Sequence, residues 1–153
     1  MPLLRAALSW NFVLATAICA SLLAQLIKVL LNLFIFHRFI AERMWGAGGM
    51  PSSHSAFVCA CAAAMGYMYG WASPVFTVAA VVAIVVMYDA SNVRRAAGEQ
   101  AKILNYIMEH WTEMKPALFG KELKEFLGHT PFQVLMGGLL GIGVGLLGAW
   151  LWS

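Results

Sequence analysis

Long apolar runs, more than any single residue, restrict what this chain can fold into. A helix needs about 20 apolar residues to cross the hydrocarbon core of a bilayer, and the runs along the sequence allow about four crossings. Only 11% of the 153 residues are charged, against about 25% in an ordinary soluble domain. The expected fold is therefore all-α. It is a single polytopic membrane domain over residues 1–153, a bundle of about four transmembrane helices plus a cytoplasmic, interfacial amphipathic helix.

The first helix is expected over residues 8–36, with Asn11, Gln25, Lys28 and Asn32 as its strongly polar members. No cleavage site of small residues accompanies it, so it reads as a retained helix rather than a signal peptide. A Gly-rich break from Trp45 to His54 leads into a second helix over residues 53–71, and Pro51 with the following serines marks its start. After the uncharged turn Ala72-Ser73-Pro74, a third helix is expected over residues 74–90. Residues 93–126 are mixed in polarity, with Leu104, Ile107, Met108, Trp111 and Met114 at helical spacing. This predicts an amphipathic helix along the interface, interrupted at Pro116 and Gly120. The last helix, over residues 131–151, repeats glycine at 137, 141 and 145, a close-packing pattern that serves either an internal or an intersubunit contact. A homodimer is reasonable for so small a bundle, and no nucleic-acid partner is expected. Cys19, Cys59 and Cys61 all lie in apolar runs, and their spacing fits neither a disulfide framework nor a zinc site. They read as small packing residues.

Lys and Arg are concentrated in cytoplasmic loops of membrane proteins. Arg38 and Arg43 fall between the first two helices, and Arg94, Arg95, Lys102, Lys115, Lys121 and Lys124 between the last two, whereas the opposite side has only Arg5. Both termini are therefore expected on the non-cytoplasmic side, in a bacterial inner membrane. This places His54, Asp89, Arg94, Arg95 and His129 at the cytoplasmic ends of different helices, with Lys28 in the nearer half of the first. Such convergence, including the only aspartate of the chain, marks a site.

Phosphate is the ligand these residue types suit. Gly48 and Gly49 let a backbone approach an oxyanion closely, and the helix start after Ser52 and Ser53 offers free N–H groups and hydroxyls. His54 beside it can protonate a leaving oxygen. The plainer reading of this segment is a serine-capped helix start. Arg94 and Arg95 can clamp the oxygens of a phosphoryl group, or serve only as topology determinants and headgroup contacts. Lys28 is a costly cation within a membrane helix, functional by default, with snorkelling as its alternative. His129 can attack phosphorus if its second ring nitrogen is held by Asp89 or Gln133. His37 and His110 lack such company and read as interfacial.

The segments Gly48-Gly49-Met50-Pro51-Ser52-Ser53-His54-Ser55-Ala56, Met87-Tyr88-Asp89-Ala90, Val93-Arg94-Arg95-Ala96-Ala97-Gly98-Glu99-Gln100-Ala101 with Asn105, and Leu127-Gly128-His129-Thr130-Pro131, together with Gln25 and Lys28, carry a resemblance. They resemble the divergent family related to type 2 phosphatidic acid phosphatases and vanadium haloperoxidases. The parent superfamily uses a Lys and Arg motif, a Pro-Ser-x-His segment whose His is the general acid, and an Arg, His and Asp segment whose His is the nucleophile. Ser52, Ser53 and His54 match the second motif. Lys28 matches the lysine of the first, without its Arg-Pro. The third is divided: Arg94 with Gly98 keeps the arginine-to-glycine spacing, but Gln100 stands where the nucleophilic histidine would fall. His129-Thr130-Pro131 resembles the superfamily's His-x-Pro, with Gln133 where an aspartate would follow.

The resemblance implies a metal-independent lipid phosphatase that uses no cofactor and forms a phosphohistidine. His54, His129 and Asp89 are its expected catalytic residues, and Lys28, Gly49, Ser52, Ser53, Arg94 and Arg95 its phosphate-binding ones. Gln25, Gln100, Asn105 and Gln133 are expected in support. The substrate is a lipid phosphomonoester or diphosphate. The alternative, favoured by Gln100 and Gln133, is a protein that binds or flips a lipid phosphate without hydrolysing it.

Overall fold

The structure, a computed structural model, describes residues 11–36, 49–110, 123 and 128–153. Helix α1 spans Phe12–Phe36. Asn11 starts it, its side-chain oxygen accepting the Leu14 N–H at 3.0 Å. Residues 8–10 of the expected first helix lie outside the described residues. Helix α2, Ser53–Tyr69, is capped by Ser52 and ends at Gly70, whose φ of 92° is a left-handed value that glycine adopts without strain. Ser73 caps α3, Pro74–Tyr88, with Pro74 in its first turn. Helix α5, Pro131–Trp152, opens with a reciprocal capping box between Thr130 and Gln133.

The expected separation between the third helix and the amphipathic segment is absent. A single π-helical turn, Asp89–Val93, joins α3 to helix α4, Arg94–His110. No Pro or Gly falls between Val75 and Ala97 to break the backbone ladder, and the polar residues there only widen it by one turn. The 36-residue run Pro74–Glu109 is about 54 Å long, well beyond the roughly 30 Å hydrocarbon core. The amphipathic stretch is thus an extension of α3 rather than a separate helix. The interruptions expected at Pro116 and Gly120 lie outside the described residues.

Three helices among the described residues are long and apolar enough to cross a bilayer, Phe12–Phe34, Pro74–Glu109 and Pro131–Trp152. Helix α2 is also apolar but has 17 residues, about 26 Å of rise. It is the centre of the bundle: α1, α3 and α5 each pack on it, whereas α1 and α3 share no packed interface.

The core is made of small side chains, as suits helices that associate in lipid by close packing rather than by hydrophobic burial. Ala17, Ala20, Ala24, Ala56, Ala60 and Ala64 are all fully buried. The glycines of α5 settle the alternative posed by their spacing. A methyl added at Gly137, Gly141 or Gly145 would meet the carbonyl oxygens of Ser52, Ala56 and Ala60 at 2.3, 2.3 and 2.5 Å. The stripe is therefore an internal seam, matching every fourth residue of α5 to every fourth residue of α2 in a parallel pair. Where the far ends of α1 and α5 meet, Phe12 stacks on Trp152 at 4.9 Å.

Candidate active site

One end of the bundle carries a polar cleft of about 630 Å³. Helix α1 contributes Ser21, Gln25 and Lys28, which the helical repeat places on one face. Helix α2 contributes Ser53 and His54 from its first turn, and the start of α4 contributes Arg94. His129 enters from the chain just before α5.

Lys28 is 2% exposed and forms no ion pair among the described residues. Its methylenes are covered by Gly49, whose φ of 100° brings the backbone over them; an added Cβ there would lie 3.1 Å from the Lys28 Cδ. An unpaired cation held out of water is costly, and an anion that enters the cleft relieves that cost.

His129 is fixed from three sides. Its backbone N–H donates to the Ala90 carbonyl at 3.0 Å, which ties it to the π-helical turn. Gly128 beside it lies so close to the start of α4 that a Cβ would sit 2.5 Å from the Arg95 Cα. The ring Nδ1 lies 3.3 Å from the Gln133 Oε1. That same oxygen accepts the Thr130 N–H at 3.1 Å, which identifies it as the acceptor end of the amide. Nδ1 therefore carries the proton and donates it to Gln133, leaving Nε2 with its lone pair. Among the described residues no group lies within geometric hydrogen-bonding reach of the buried Nε2, nor of the buried Gln25 Oε1. Burial pushes the imidazole pKa down, and the Lys28 and His54 charges act in the same direction, opposed by the Gln133 hydrogen bond and the Gly49 backbone. The His54 and His129 rings are 6.3 Å apart, centroid to centroid.

A cleft built from two histidines, a buried lysine and an arginine suits an anion, and among the described residues no three His, Cys, Asp or Glu side chains gather to hold a metal ion. A profile of the divergent PAP2 family matches residues 9–144. The chain belongs to the divergent PAP2 family. A protein of Bacillus subtilis (strain 168) that bears the name "Uncharacterized membrane protein YuiD" is 39% identical over 142 residues, covering 86% of this chain and 90% of its own. No solved structure matches.

In this divergent PAP2 chain, the residues singled out from sequence divide by position. Gln25, Lys28, Ser53, His54, Arg94 and His129 line the cleft. Asp89 pairs with Arg94 at 2.6 Å rather than with His129. Gln133 stands behind His129. Ser52 is fully buried as the α2 cap, its Oγ accepting the Ser55 N–H at 3.3 Å and the Ser55 hydroxyl at 3.0 Å. Gly49 acts on Lys28.

Arg95 and Gln100 lie on α4 and do not line the cleft. Asn105 instead holds the returning chain, donating to the Leu123 carbonyl at 2.9 Å and accepting the Leu123 N–H at 3.1 Å. His37 lies outside the described residues. Sequence reasoning missed Ser21, Phe57, Val58 and Val86 in the cleft wall. Ser21 was detectable, since it precedes Gln25 and Lys28 by four and seven residues on one helix.

Proposed function

We propose that this protein is an integral-membrane lipid phosphate phosphatase that hydrolyses a phosphomonoester or diphosphate headgroup through a phosphohistidine, without a metal. The observation that carries this reading is the His129 Nε2, buried and without a hydrogen-bond partner among the described residues, in a cleft shared with Lys28.

In the first step Nε2 attacks phosphorus while the bond to the leaving oxygen breaks, and protonated His54 transfers its proton to that oxygen. In the second, His54 takes a proton from water, whose oxygen displaces the His129 nitrogen and releases phosphate. Lys28, Arg94 and Ser53 bind the phosphoryl oxygens, where charge spreads in the transition state. Asp89 positions Arg94 through their ion pair, and Ser52 and Gly49 hold the elements that carry Ser53 and Lys28. The Lys and Arg distribution supports an active site on the cytoplasmic face of a bacterial plasma membrane, with both termini on the other side.

The test is phosphate release from a panel of lipid phosphates by purified protein in chelator, beside His54→Ala and His129→Ala. Release that survives chelation and is lost in both variants supports the reading. Retention of lipid phosphate without release refutes the hydrolase and leaves a binding or flipping protein, in keeping with a neutral Gln133, not a carboxylate, beside the His129 Nδ1.

A further inference from the structure

The polar cleft has an apolar neighbour. A groove of about 410 Å³ lies between α2 and α3, bounded from Phe57 and Val58 to Met65 on one side and from Val82 to Val75 on the other. Phe57 and Val58 also line the cleft, so the two spaces share a wall. Val86, the α3 residue that lines the cleft, lies one turn beyond Val82, so the groove leaves the cleft and runs toward the opposite face of the bundle. Seven residues of helix give it about 10 Å of length, a third of a hydrocarbon core of roughly 30 Å.

Charge and shape together select an occupant. The cleft end presents Lys28, His54 and Arg94, and among the described residues the groove end presents apolar side chains and the Cys61 thiol. Among the described residues, the cleft is lined by both α1 and α3, which flank α2 without a packed interface between them. Inorganic phosphate would use the cleft alone and a bulk lipid the groove alone; only a lipid with a phosphate head uses both.

We infer that the α2/α3 groove seats one hydrocarbon tail of the lipid whose phosphate occupies the polar cleft, with Phe57 and Val58 at the junction of head and tail. The inference rests on the reading of the cleft as a lipid-phosphate site. Bilayer tails are as apolar as the groove, so seating one gains close packing rather than transfer out of water. Selectivity is therefore confined to the carbons nearest the head. The site discriminates unsaturation or branching there and is indifferent to chain length beyond about 10 Å, the span given by the helical rise.

The experiment uses a single-chain alkyl phosphate with a photoreactive diazirine within the first half of its chain, beside the alcohol with the same chain and diazirine. Adducts on purified protein are mapped by mass spectrometry, and binding of inorganic phosphate is measured separately by 31P NMR. The expected result is adducts on Phe57–Met65 and Val75–Val82 from the phosphate probe and not from the alcohol. They should be lost when the groove is filled by Ala79→Phe or, from its rim, by Val78→Trp. Val81→Phe, on the part of α3 outside groove and cleft, should keep them.

Phosphate binding with adducts scattered over the exposed faces of α1 and α5 would overturn the tail groove and leave the headgroup site standing. A Cys61 disulfide between two copies, formed after Cys19→Ala and Cys59→Ala, would show the groove covered by a second chain and would overturn it as well. Failure to bind inorganic phosphate, with no difference between the two probes, would remove the headgroup reading and the groove inference together.

Discussion

The His129 Nδ1 and the Gln133 Oε1 lie 3.3 Å apart, on a histidine just before α5 and a glutamine in its first turn. The capping box that starts the helix therefore also sets the tautomer of the histidine. Gln133→Leu should lower kcat by about 10- to 100-fold, by analogy with loss of the outer partner that orients a metal-bound histidine. Gln133→Glu should retain orientation and move the acidic limb of the kcat/KM profile upward, because a carboxylate stabilises the imidazolium. A profile unmoved by Gln133→Glu would show that the bond does not set the ring's charge.

Burial is the main reason that His129 has a pKa below its ordinary 6.5. The neutral, nucleophilic ring should therefore persist at pH below 6.5, where an exposed histidine is largely protonated. Linkage has the matching sign: with the folded pKa below the unfolded one, the unfolded state binds more protons on acidification. The stability contribution is complete above the unfolded value and is lost as pH falls through the folded value. Thermal melts of wild type and His129→Gln across about pH 5–8, the range in which histidine titrates, should converge toward the acidic end.

Lys28 is buried without an acidic partner among the described residues, so its charge should serve ligand binding more than folding. Lys28→Met should abolish binding of inorganic phosphate while leaving the melting temperature equal to wild type or higher, since removing an unpaired buried charge removes a desolvation penalty. A large loss of stability would instead assign Lys28 a structural partner.

Asp89 and Arg94 form an exposed pair at 2.6 Å, with side chains 39% and 54% exposed. Phosphate has to compete with the carboxylate for the guanidinium. Asp89→Asn should tighten inorganic phosphate binding by up to about fivefold, the upper end of what an exposed ion pair contributes. Turnover should fall in the same variant if the pair also positions Arg94, and titration with a kinetic assay reads both effects.

Gly141 and Gly143 are two residues apart on α5 but face different surroundings. A Cβ at Gly141 would meet the Ala56 carbonyl oxygen at 2.3 Å, and one at Gly143 would meet nothing within 4 Å. Gly141→Ala should destabilise the α2–α5 pair by about 1–3 kcal/mol. Gly143→Ala should be neutral or stabilising by up to about 1 kcal/mol. Denaturation in detergent compares them directly.

The sequence by itself determined the apolar spans, because a bilayer admits only long uninterrupted apolar helices and the residues that start them have local effects. Ser52, Ser73 and Thr130 cap their helices and Pro74 and Pro131 begin theirs, so these residues mark the helix starts within one residue. It also determined which polar residues share an end of the bundle, since alternating helices in a membrane leave little freedom in that. What only the tertiary structure decided depends on contacts between distant segments. The glycine stripe packs on α2 rather than on a second chain because of the relative rotation of two helices, which no spacing within one of them encodes. His129 stands beside the cleft because its backbone N–H reaches the Ala90 carbonyl in the π-helical turn, a contact between segments far apart in the chain. The joining of cleft and groove at Phe57 and Val58 follows from α1 and α3 packing on α2 and not on each other, and neither residue carries a polar signal that would mark it in the sequence.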